Sequence, residues 1–74
     1  MFSVYPNPTT SELFIVSEQE LTATIFDMSG KQIETVLMYQ NNQYSIDVRF
    51  LSKGAYWLQL KTGEKVKQIK FLKK

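Results

Sequence analysis

The 74-residue chain has room for one domain, and with 43% hydrophobic and 14% aromatic residues it can pack a core rather than stay disordered. It contains neither cysteine nor histidine, which excludes disulfides, thiolate nucleophiles, imidazole bases and the usual zinc ligand sets. The net charge of +2 is segregated: from Lys61 to Lys74 six lysines face Glu64 alone, a local +5, so the remaining sixty residues sum to −3. No apolar run approaches the roughly 20 residues of a spanning helix, and no basic leader precedes an apolar stretch.

In chain order, Phe2 to Tyr5 reads as an edge strand. Pro6 lacks an amide hydrogen and cannot sit inside a central strand, and Pro8 biases Asn7 towards an extended backbone. The chain must therefore leave its first strand at Pro6. Asn7-Pro8 opens a turn in which Thr9, Thr10 and Ser11 can satisfy nearby backbone groups, and we read the stretch as a sheet-crossing corner. Leu13 to Val16 is an apolar run of strand length. Ser17-Glu18-Gln19-Glu20 matches a helix capping box, yet a two-residue period follows it, so it reads as a hairpin loop. In Leu21 to Asp27 the residues Leu21, Ala23 and Ile25 share one face.

After a turn at Ser29-Gly30, Lys31 to Met38 is taken as a further strand, although Ile33, Val36 and Leu37 also satisfy a helical spacing. The stretch "QIETVLMYQ" is more apolar and longer than a solvent-facing connection requires. Asn41-Asn42 marks the next reversal. Tyr44 to Phe50 alternates cleanly, with Tyr44, Ile46, Val48 and Phe50 on one side. Beyond Ser52-Lys53-Gly54, the strand Tyr56 to Leu60 turns Tyr56, Leu58 and Leu60 one way and Trp57 the other. A turn at Thr62-Gly63 leads to Lys67 to Lys73, with Ile69 and Phe71 on one face and lysines projecting. About seven short strands without a helix predict an all-β fold, a small antiparallel immunoglobulin-like β-sandwich, with a barrel as the alternative.

Seven carboxylates are present, but none is paired for proton transfer and no base or metal cluster accompanies them. The expectation is a non-enzyme with no catalytic residues, metal, cofactor or small-molecule substrate. Asp27 and Asp47 read as turn-capping or solvated groups. The mildly acidic body argues against a nucleic-acid partner, despite Tyr56, Trp57 and Phe71 near the lysines.

Three segments in this order carry more than any alone: Tyr5-Pro6-Asn7-Pro8, the strand end "IFDMSGK" with Asp27, Gly30 and Lys31, and "DVRFLSKGAYWLQL" with Leu51, Gly54 and Tyr56. With the terminal Lys70-Phe71-Leu72-Lys73-Lys74, they resemble the C-terminal sorting domain of the bacterial type IX secretion system, over nearly the whole chain. The resemblance implies that residues 1–74 form a single C-terminal sorting domain at the end of a larger secreted protein of a Gram-negative bacterium. It implies a cargo domain ahead of it and recognition by the outer-membrane secretion translocon. It further implies removal by a sortase-like peptidase as the cargo passes through periplasm and outer membrane to the cell surface or the medium. The stretch itself reads as an isolated terminal module without cargo or signal peptide.

On this reading, recognition is expected at Gly54, Tyr56, Lys70, Phe71, Lys73 and Lys74, the apolar groups anchoring the last strand while lysines project. Tyr56 would be partly buried, its hydroxyl free to find a partner. Pro6, Asn7, Pro8, Asp27, Gly30 and Leu51 would shape the turns. Lysines on an edge strand also discourage stray pairing, and self-association of so edge-rich a domain is allowed. The alternative function is a carbohydrate-binding or adhesive immunoglobulin-like module, stacking sugars on Trp57 or Tyr39.

Overall fold

In a computed structural model that describes residues 3–74, the chain forms eight strands: β1 (Ser3–Tyr5), β2 (Glu12–Val16), β3 (Thr22–Asp27), β4 (Gln32–Ile33), β5 (Leu37–Gln40), β6 (Gln43–Asp47), β7 (Gly54–Thr62) and β8 (Lys65–Lys73). They build two four-stranded antiparallel sheets, ordered β1-β2-β6-β5 and β4-β3-β7-β8. No helix forms among the described residues. The expected all-β sandwich is what the chain adopts, with eight strands rather than seven. Phe2, expected in the first strand, lies outside the described residues.

The period of two places the core. Leu13 and Ile15 of β2 and Ile46 of β6 meet Ile25 of β3, Leu58 and Leu60 of β7 and Phe71 of β8 from the opposite sheet. Across β3 and β7 the register pairs Ile25 with Leu58 and Ala23 with Leu60, so the inner face is apolar row by row. Leu21, just ahead of β3, closes the core from the end of the strand. β5 and β6 are joined by Asn41 and Asn42, both at positive φ (55° and 63°), a primed two-residue turn that matches the twist of the flanking strands.

Four expectations change. The stretch Lys31 to Met38 is not one strand: β4 pairs with β3 in one sheet and β5 with β6 in the other. Ile33 and Leu37 both pack against the core, each from its own sheet, and the residues between them span the gap. Val36, which the helical spacing would bury, is 71% exposed on that crossing. Ser17 to Glu20 is likewise not a hairpin loop, because β2 and β3 belong to different sheets. The loop is held locally, Ser17 Oγ accepting from the Gln19 amide and donating to its carbonyl.

Phe50 does not extend the inner face of β6. The Arg49 amide donates to the Asp47 carboxylate and the Leu51 amide to the Val48 carbonyl, so the chain turns within one residue of the strand end. Phe50 is lifted out to 58% exposure and Leu51 is buried instead. Finally, the proline stretch returns to its own sheet, since β1 pairs with β2, but its middle reaches across to the other sheet.

Candidate recognition surface

β8 is the edge strand of its sheet, and its two faces are chemically different. The inner face places Phe71 at full burial opposite Tyr56, their rings stacked 5.6 Å apart, with Ile69 half-buried opposite Leu58. The outer face carries Val66, Gln68, Lys70 and Leu72, all exposed. Lys65, Lys67 and Lys74 are exposed as well, and Lys73 is half-buried with its Nζ donating to the Lys74 carbonyl. The strand is anchored by its aromatic ring and shows its charges.

The opening proline stretch clasps this strand. The peptide bonds before Pro6 and Pro8 are both cis. Asn7 presents its side-chain amide edge-on to β8: Nδ2 donates to the Lys70 carbonyl (3.0 Å) and Oδ1 accepts from the Leu72 amide (3.1 Å). Thr9 continues the cover with its backbone, its amide donating to the Leu72 carbonyl (2.9 Å) and its carbonyl accepting from the Lys74 amide (2.8 Å). The resulting bridge is parallel, pairing Thr9 with Lys73. The Thr9 hydroxyl donates to the Glu12 carbonyl at 2.6 Å, which leaves this buried threonine satisfied. The sequence marks Thr9 as able to satisfy nearby backbone groups, as its hydroxyl does, but a threonine in a turn gives no signal that it will be buried or will cover β8.

Gly54, Leu51 and Tyr56 form the corner that launches β7. Gly54 takes φ +150°, which a residue with a Cβ rarely adopts, although nothing lies within 4 Å of where that Cβ would stand. The reversal brings Tyr56 inward. Its hydroxyl donates to the Ser52 carbonyl (2.7 Å), a lock of the kind found at tyrosine corners in immunoglobulin-like sandwiches. Tyr56 is thus buried more deeply than expected, and its hydroxyl is spent within the chain. With Phe71 it supports the surface from below and is not itself presented.

The Asp27 motif resolves into a turn cap. One carboxylate oxygen accepts from the Ser29 amide (2.9 Å), the Ser29 hydroxyl (2.6 Å) and the Lys31 amide (2.9 Å), while Gly30 at φ +90° donates back to the Asp27 carbonyl. These bonds, the Ser29 hydroxyl first, hold the Asp27 carboxyl below its ordinary range. Asp47, at the end of β6, behaves likewise. Its ion pair with Arg49 (2.7 Å) and the Arg49 amide bring its pKa down to about 2. Both aspartates cap turns, and no group of three acidic residues gathers to hold a metal among the described residues.

On the outer face of the β8 sheet, register aligns Phe26, Trp57 and Lys70 in one row. Trp57 is half-buried there, flanked by its neighbours rather than standing free, while Tyr39 is exposed on β5 in the opposite sheet. Elsewhere, Val36, Met38 and Phe50 line an open groove of ≈ 590 Å³ beside Asp47. That groove was invisible to periodicity, since it arises from the sheet crossing and from the turn that expels Phe50.

A family model described as the secretion system C-terminal sorting domain matches residues 3–74. No curated protein matches the chain.

Proposed function

Because the chain belongs to the secretion system C-terminal sorting domains, the sorting modules of type IX secretion, we propose that it works as a folded address for a protein attached ahead of it. The cargo is carried across the outer membrane to the surface or the medium, and a sortase-like peptidase then removes the address. The family match over residues 3–74 is the observation that carries this reading.

A folded signal must hold its determinants in one arrangement, and this one does so by packing rather than by chemistry. We assign the contact surface to Lys70, Lys73 and Lys74 on β8 together with the Gly54 corner, which lies beside them because Gly54 pairs with Lys73. Phe71, Tyr56 and Leu51 hold that surface in place. Asn7, set between Pro6 and Pro8, ties it to the start of the domain, and the Asp27–Gly30 turn shapes the end of β3 that pairs with the start of β7. Exposed lysines at one sheet edge supply long-range attraction to an acidic receptor.

The test fuses the 74-residue chain to the C-terminus of a fluorescent reporter that carries a signal peptide, in a Gram-negative host with a working type IX system. Replacing Lys70, Lys73 and Lys74 by serine is expected to leave the reporter in the periplasm, with Tm within a few degrees of the parent. Surface delivery at the parental level would refute the assignment.

A further inference from the structure

The clasp covers only part of the β8 edge. Its four bonds engage the Lys70 carbonyl, both backbone groups of Leu72 and the Lys74 amide, so the even-numbered residues of β8 turn their backbone groups away from β7. By the alternation of an antiparallel ladder, Val66, Gln68 and the Lys70 amide also point outward. None of these has a hydrogen-bond partner among the described residues. What remains is a short open edge, Val66 to Lys70, ending where Asn7 begins. Lys65, Lys67 and Lys70 are exposed along it.

We propose that this open edge takes an extended, acidic segment of a partner protein as a ninth strand, stopped in register by Asn7. An open edge offers amides and carbonyls in alternation, which another peptide backbone satisfies and a phosphate, accepting only, does not. The lysines choose among strands: glutamates beside the edge are attracted from both faces, and a basic strand is repelled. The inference rests on the sorting reading for where the partner resides, namely the export machinery. Its binding chemistry is separable from that reading.

The first probe is a soluble ~10-residue peptide of alternating glutamate and valine, titrated at low salt into the 74-residue chain, with an alternating lysine and valine peptide as control. The acidic peptide is expected to slow amide exchange at Val66, Gln68 and Lys70 by about tenfold or more, and the basic one to leave it unchanged. Gln68→Pro removes an outward amide without touching the β7 ladder, and it should abolish that protection. If this variant fails to fold, Lys65→Glu/Lys67→Glu/Lys70→Glu carries the test: the backbone edge is intact and the preference should reverse to the basic peptide.

Protection elsewhere, no protection, or a concentration-dependent dimer joined through β8 would overturn the proposal. So would binding to phosphatidylglycerol-containing vesicles that Gln68→Pro leaves unchanged together with no peptide protection. In the reporter fusion, Gln68→Pro should be retained in the periplasm. If it is exported normally while the serine variant of the lysines is retained, the edge proposal falls and the sorting reading stands. If both are exported normally, the assigned sorting surface falls too.

Discussion

Replacing Asn7 by alanine tests the clasp most directly. The substitution deletes the bonds to the Lys70 carbonyl and from the Leu72 amide and leaves the Thr9 backbone bonds intact. Each such bond contributes about 0.5–1.5 kcal/mol net, and water can reach both groups once the side chain is gone, so the pair should cost about 1–2 kcal/mol in all. For a domain of this size, that corresponds to a fall in Tm of about 4–8 °C for each kcal/mol. Thermal unfolding followed by the emission of Trp57, the one tryptophan, gives the global number. Hydrogen exchange at the Leu72 amide gives the local one, which should quicken by roughly tenfold. Asn7→Asp separates the two bonds, since it keeps an acceptor for Leu72 and loses the donor to Lys70. Leu72 should then stay protected while Tm lies between the other two proteins. An unchanged Tm together with unchanged exchange at Leu72 in Asn7→Ala would refute the idea that the side chain holds this edge.

Tyr56→Phe should lower stability by about 1–2 kcal/mol in urea unfolding, because the Ser52 carbonyl loses its donor while the stacking on Phe71 is retained. Phe71→Ala empties a fully buried ring site and should cost about 3–5 kcal/mol, enough to leave much of so small a domain unfolded at 37 °C by circular dichroism. Gly54→Ala meets no steric block and so should pay only for its backbone conformation, about 1–3 kcal/mol by thermal melting. The Asp47 carboxyl is depressed from 3.8 to about 2 by Arg49, so its contribution is present above about pH 3.8 and is lost as pH falls towards 2. Asp47→Asn should therefore flatten that acid limb of the Tm-versus-pH curve, and a parental limb unchanged by the substitution would contradict the pairing.

In β7 and β8 the alternation read from the sequence holds, with Leu58 and Leu60, and Ile69 and Phe71, facing the core, whereas the continuous apolar run Leu13 to Val16 did not say that Leu13 and Ile15 would be the inward pair. The turns were legible too, because Asn41-Asn42 and Gly30 take backbone conformations that few other residues accept. What failed were the points where the chain changes sheet. Ile33 and Leu37 lie four apart, a spacing that a single strand and a helix both explain, so nothing in it shows that each belongs to a different layer. Phe50 misled because alternation says nothing about where a strand ends, and here Asp47 ends it by capping the next turn. At the candidate surface, the lysines and Phe71 could be named from sequence. The clasp could not, because its bonds join residues more than sixty positions apart.

That long-range stitch makes Asn7 to Thr9 and the last five residues a single mechanical fitting. Trimming Lys70 to Lys74 from a fusion would also pull Phe71 from the interior and strip Asn7 and Thr9 of their partners on β8, so lost delivery would not separate the loss of charge from the loss of fold. Trimming from the front would loosen the same joint from its other half. A transplantable export tag cut from this protein must therefore keep both halves, and its charge code is better edited one side chain at a time.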